Sequence, residues 1–197
     1  MDLTNITQKE KNARAKKMML WFAMASLIMG FAGWTSAFIV SSTREDWLSD
    51  FQLPSAFIYS TIIIVISSLT YIMARKSVQK GDQKQATQWL VATLVLGISF
   101  IIIQFMGFSQ IIDQGYYFTG PSSNITMSYI FLIAAVHIAH VVAGLISLLV
   151  VLYNQISGKY DADNMLGLEL GAMFWHFLDL IWIGIITIVY FGGLTYG

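Results

Sequence analysis

Five long apolar runs, at roughly 18–40, 54–74, 88–112, 125–153 and 167–191, constrain what this chain can fold into more than any other feature. A helix rises about 1.5 Å per residue, so about 20 apolar residues cross the roughly 30 Å of hydrocarbon in a bilayer. Backbone N–H and C=O groups meet no water there, which leaves helices or closed β-barrels as spanning structures. None of the five runs alternates with the period of two that barrel strands require. The pattern predicts an all-α polytopic membrane protein, a single domain over residues 1–197 built as a bundle of five transmembrane helices.

Composition narrows the chemistry. Only 11% of residues are charged and 56% are hydrophobic, against about 25% charged in soluble domains, so much of the apolar surface faces lipid. The formal net charge is zero, which offers nothing to nucleic acid. Cysteine is absent. That removes disulfides, thiolate metal sites, Fe–S clusters and catalytic thiols together, and leaves His, Asp and Glu as the strong ligands. The first run is too long for a signal-peptide core and no small-residue cleavage site follows it, so it is read as a retained span.

Basic loops stay in the cytoplasm. Lys9, Lys11, Arg14, Lys16 and Lys17 precede the first run, Arg75, Lys76, Lys80 and Lys84 separate the second from the third, and Lys159 separates the fourth from the fifth. The opposite side has Arg44 alone. This predicts a cytoplasmic N-terminus and a C-terminus outside. The outer loops hold Glu45, Asp46, Asp50 and Asp113, with Pro54 and Pro121 near helix starts, where the missing N–H of proline costs little. Trp21, Trp47, Trp89 and Tyr153 lie near span ends, as interfacial aromatics do.

Ionisable groups within spans are costly and mark candidate sites. Here they are confined to the last two runs: His137 and His140 in the fourth, and Glu169, His176 and Asp179 in the fifth. His137, His140 and Gly144 share one helical face, the glycine giving a neighbouring helix room to approach. A strip of small residues, Ala135, Ala139, Ala143 and Ser147, repeats every fourth position and predicts that this helix is packed. Glu169 and His176 lie two turns apart on one face, and His176 and Asp179 are neighbours at i and i+3. The opposed helix directions put His140 and His176 at similar depth, so one polar cluster in the cytoplasmic half is expected. Three readings stay open for it: interhelical hydrogen bonds, a haem or metal site, and a proton-handling or lipid-headgroup role. An i, i+3 histidine pair on one helix cannot clamp an iron from both sides.

The segment Trp175-His176-Phe177-Leu178-Asp179-Leu180-Ile181-Trp182 resembles W-H-F-x-D-x-x-W, the last-helix signature of cytochrome c oxidase subunit III. Glu169 matches a glutamate the family has seven residues before that histidine, and His137 to Gly144 match H-x-x-H-V-x-x-G. Gln104 is similar to the glutamine of LLQ-x-x-E-Y, and Phe31-Ala32-Gly33 with Ala37-Phe38 resembles the end of an earlier family helix. Two departures stand out. Leu27 replaces a glutamate after Ser26, and Gly107 replaces the glutamate of the E-Y pair.

The resemblance implies the five-helix form of a family that also has a seven-helix form. Such a subunit holds no cofactor itself; haem and copper belong to partner subunits. It would stabilise subunit I directly, accompany subunit II and subunit IV, and support proton uptake in aerobic electron transport in a bacterial plasma membrane. The long form holds phospholipid in a cleft, and such an oxidase is compatible with a larger respiratory assembly. The leading expectation is a proton-pumping cytochrome c oxidase. A quinol oxidase shares the same plan, and a small transporter or channel lined by the same residues is an alternative of another class, disfavoured by the absence of repeats and broken helices.

Overall fold

The computed structural model describes residues 8–48, 53–120, 123–162 and 164–195; Asp50 and Pro121 lie outside these. Five helices follow one another: α1 (Gln8–Ser41), α2 (Ser55–Gln79), α3 (Gln83–Asp113), α4 (Ile125–Ile156) and α5 (Leu166–Thr195). All five are long and apolar enough to cross a membrane. Each outlasts its predicted span, because helical hydrogen bonding continues past the hydrocarbon into polar sequence such as Gln8–Lys17 and Gln83–Gln88.

Glycine sets the helix ends. At the end of α2, Gly81 takes φ +79, its N–H bonds to Val78 O at 3.0 Å, and the N–H of Asp82 bonds to Ser77 O at 3.0 Å. These bonds satisfy carbonyls that the helix terminus leaves open, and a side chain at Gly81 would be strained. Asp82 then starts α3 by accepting the N–H of Gln85 at 3.0 Å. Gly115 closes α3 and Gly158 closes α4 by the same pair of bonds.

The buried residues repeat with a coiled-coil rhythm. In α3 they are Ala86, Leu90, Thr93, Gly97, Phe100, Gln104, Gly107 and Ile111, separated alternately by four and three. In α4, Met127, Ile130, Ala134, His137, Val141, Gly144, Leu148, Val151 and Gln155 keep the same spacing, and Thr126, Ile133, Ile138 and Leu145 widen the buried face. That seam suits helices crossing at a shallow angle.

Among the described residues helix α2 lies against α3 and α5, α4 against α3 and α5, and α1 against α4 and α5 only. Three of its core residues, Met24, Phe31 and Phe38, are seven apart. The small-residue strip of α4 differs from expectation: Ala135, Ala139 and Ala143 face outward, and α4 enters the bundle by its opposite face. Outside the spans, Leu48 N–H bonds to Thr126 Oγ1 at 3.0 Å and Asn124 Nδ2 to Asp46 O at 3.0 Å, pinning the first loop to the start of α4. In that loop the hydrogen bond from Arg44, 2.8 Å away, holds the Asp46 carboxyl below the usual carboxylate range.

Candidate functional site

The site is organised by α5, which runs antiparallel to α2 along a ladder of polar contacts. Trp182 Nε1 donates to Thr61 Oγ1 at 3.0 Å and Trp175 Nε1 to Ser67 Oγ at 2.8 Å. His176 Nδ1 lies 2.5 Å from Ser68 Oγ. At the end of the ladder Arg75 Nη2 reaches Glu169 Oε1 at 3.3 Å, while Lys17 Nζ from α1 takes Oε2 at 2.8 Å. One carboxylate thus ties three helices. On its other side α2 bonds to α3: Gln104 Nε2 to Ser60 Oγ at 3.2 Å, Thr70 to Thr93 at 2.8 Å, and Ser77 to Gln85 at 3.0 Å. Inside a membrane such bonds contribute about 0.6 kcal/mol each on average, enough collectively to set register.

Trp175 is the hub. A Cβ on Gly97 would lie 2.7 Å from its ring and one on Gly144 3.3 Å from it, so the indole sits between two glycines on α3 and α4 while bonding to α2. The expected role of Gly144 holds, with Leu178 and Trp175 filling the room it leaves. Gly107, where the family motif has glutamate, lies under Phe57: its Cβ would sit 3.0 Å from that ring.

The five ionisable residues do not converge. Glu169 and His176 face a cleft of about 820 Å³ between α1, α2 and α5, with Lys17, Arg75 and Lys76 among its basic residues and Trp21, Ile72, Phe177 and Leu180 among its apolar ones. Asp179 is buried one turn beyond, and among the described residues neither of its oxygens has a hydrogen-bond partner. His137 is elsewhere. It is fully buried, stacked on Trp182 with ring centres 5.1 Å apart, edge-on to Phe31 and Phe100, and among the described residues neither ring nitrogen has a hydrogen-bond partner. His140 is half-buried beside Phe31; its Nδ1 lies 2.7 Å from Val136 O. A carbonyl can only accept, so that nitrogen carries the proton.

The single cluster expected over the last two helices is therefore two separate groups, because Phe31 and Trp182 occupy the space around the α4 histidines. Sequence reasoning missed Ser67, Ser68 and Thr61, and the cations that hold Glu169. For Ser67 the signal was present: Ser60, Ile64, Ser67, Tyr71, Ala74 and Val78 form a heptad seam, to which Thr61 and Ser68 are adjacent. Among the described residues no three His, Asp or Glu side chains group as a metal site.

A family model for cytochrome c oxidase subunit III matches residues 46–194. The chain belongs to that family. The match begins beyond α1, and it contains the whole α2–α5 ladder. Among relatives, the chain is similar to the cytochrome bo(3) ubiquinol oxidase subunit 3 of Pseudomonas aeruginosa, with 36% identity over 143 residues, 73% of this chain and 66% of that protein. It is 31% identical over 190 residues to the cytochrome bo(3) ubiquinol oxidase subunit 3 of Buchnera aphidicola, covering 94% of this chain and 98% of the relative. The cytochrome c oxidase subunit 3 of Bacillus sp. strain PS3 is 27% identical over 145 residues, 74% and 68% of the two chains. As a subunit III family member the chain is a multi-pass membrane protein of the respiratory oxidase class. The family motif W-H-F-x-D-x-x-W gains a physical reading here: its two tryptophans and its histidine are the α5 rungs of the ladder.

Proposed function

We propose that this chain is the accessory subunit III of a proton-pumping haem-copper terminal oxidase in a bacterial plasma membrane, with its N-terminus in the cytoplasm. The observation that carries the reading is the end-to-end likeness to a complete oxidase subunit 3. Its direct partner is subunit I, with subunits II and IV in the same complex, and the haem and copper reside in those partners. The basic side chains near Lys17, Arg75 and Lys76 support the cytoplasmic assignment of that end. They also suit a phospholipid: a phosphate near the cations, acyl chains along Trp21, Ile72 and Phe177. Glu169, His176 and Asp179 then support proton supply from that side, and the α4 histidines act in helix packing. Relatives of both donor types match: the cytochrome c reading rests on the family model, and the quinol reading on the bo(3) relatives at 36% and 31% identity.

Purification of the C-terminally tagged chain from its native membrane in mild detergent tests this, with mass spectrometry of what accompanies it and a reduced-minus-oxidised spectrum. A large haem-bearing subunit is expected, and a dinuclear copper signal in subunit II would assign cytochrome c as donor. A chain recovered alone and colourless would sink the proposal.

A further inference from the structure

One carboxylate stands across the mouth of the cleft between α1, α2 and α5. Glu169 Oε2 takes Lys17 Nζ of α1 at 2.8 Å, and Oε1 takes Arg75 Nη2 of α2 at 3.3 Å. Among the described residues α1 and α2 make no contact with each other, although both line the cleft. The cleft is therefore open between them, and Glu169 links the two helices across the opening. Helix α1 also buries less of its span than any other helix, so little apolar packing opposes its movement there.

The clamp is of an exchangeable kind. Arg75 approaches with one nitrogen rather than with the bidentate fork of the strongest carboxylate pairs. The Lys17, Arg75 and Glu169 side chains are 43%, 46% and 27% exposed, so solvent screens both contacts. A phosphodiester presents the same single charge on a similar pair of oxygens and can take the same two cations. Lys76 lines the cleft next to Arg75 and has no ion pair among the described residues. It is a third cation, which Glu169 leaves uncompensated. Beyond these groups the lining turns apolar at Trp21, Ile72, Phe177 and Leu180. Such a wall suits an anion that brings acyl chains with it, not a free one.

We infer that Glu169 is a built-in stand-in for an anionic lipid headgroup: a phospholipid phosphate entering between α1 and α2 displaces the carboxylate from Lys17 and Arg75. Glu169 then sets how readily the cleft takes and releases anionic lipid. This rests on the phospholipid reading of the cleft and gives it a regulating residue. It also reverses the sign expected of a ligand-binding side chain, because removing the carboxylate frees two cations and strengthens retention of an anionic lipid. A zwitterionic lipid gains less, since its ammonium group loses the carboxylate while its phosphate gains the cations. An ion pair that merely held α1 in place would do the opposite, and its loss would loosen the cleft for both lipids.

The tagged full-length chain, with the subunits that accompany it, is purified in mild detergent and reconstituted with equal parts of phosphatidylglycerol and phosphatidylethanolamine. After re-extraction the retained lipids are counted by native mass spectrometry. Glu169→Gln is expected to raise the retained ratio of phosphatidylglycerol to phosphatidylethanolamine by about threefold or more, within what two exposed ion pairs supply. Glu169→Asp, too short to hold both cations, should raise it less and serves if the glutamine variant does not accumulate. Lys76→Gln and Arg75→Gln should each lower phosphatidylglycerol retention, which locates the effect in this cleft. Excess inorganic phosphate should not displace the lipid. An unchanged or lower ratio in Glu169→Gln, or displacement by inorganic phosphate, would overturn the inference. Phosphatidylglycerol retained equally with and without Glu169 removes the stand-in alone, whereas no phospholipid retained by any variant removes the phospholipid reading with it.

Discussion

A Cβ added to Gly97 would stand 2.7 Å from the Cη2 atom of Trp175, closer than real carbon contacts allow, so the α3 backbone and the α5 indole fit only because residue 97 has no side chain. The neighbouring atom is a tryptophan ring that is itself fixed by Ser67 and Gly144, and it cannot swing aside.

Gly97→Ala is therefore expected to destabilise the subunit by about 1–3 kcal/mol, the usual effect of overpacking. Gly30→Ala, whose Cβ meets nothing within 4 Å, serves as the contrast within the isolated chain. Thermal unfolding of the purified subunit in detergent distinguishes them, and equal midpoints would contradict the glycine socket.

The bond between Trp175 and Ser67 should show as coupling. Trp175→Phe and Ser67→Ala each remove it, and the double variant should fall short of the sum of the two by about 0.6 kcal/mol, at most about 1.7. Strict additivity in a double-mutant cycle would mean that the 2.8 Å contact contributes nothing.

Glu169→Gln keeps the shape but removes both ion pairs. Because the Lys17 and Arg75 side chains are 43% and 46% exposed, each pair contributes less than about 1 kcal/mol. The effect should appear in α1 first, as faster hydrogen exchange over the residues around Lys17, and high salt should reproduce it in the unaltered chain. Exchange that accelerates uniformly over all helices would refute a role specific to α1.

Replacing His176 with Leu and Asp179 with Asn together should leave the haem spectrum of the purified oxidase unchanged while lowering assembly yield or sustained turnover. His176 loses Ser68, and the buried carboxyl of Asp179 is gone. Unaltered assembly together with unaltered turnover would remove these residues from the mechanism.

Restoring the family glutamate tests why it was lost. Gly107→Glu presses against Phe57 and is expected to lower expression sharply, since it adds overpacking to the cost of a buried carboxyl. Phe57→Ala in the same chain should recover part of the yield. If Gly107→Glu accumulated normally by itself, the packing explanation would fail.

Much of this architecture was legible beforehand. Span number and helical type follow from run length and the absence of alternation, because a bilayer admits few solutions for the backbone. The room at Gly144 followed from its place on the histidine face, whereas glycines 81, 115 and 158, not singled out in the sequence, end their helices through an equally local backbone preference. These are properties of a residue and its near neighbours in the chain.

What the chain alone did not determine was adjacency. His137 and His140 share a helical face and were expected at the depth of His176, yet Phe31 and Trp182 pack against them and leave His176 to Ser68. Glu169 found Lys17 from 152 residues away. The heptads of α2 announce a buried seam without naming its partner. Hydropathy and helical period are set locally, whereas the choice of neighbouring helix depends on side-chain volumes that must interlock among all five at once, such as an indole between two glycines.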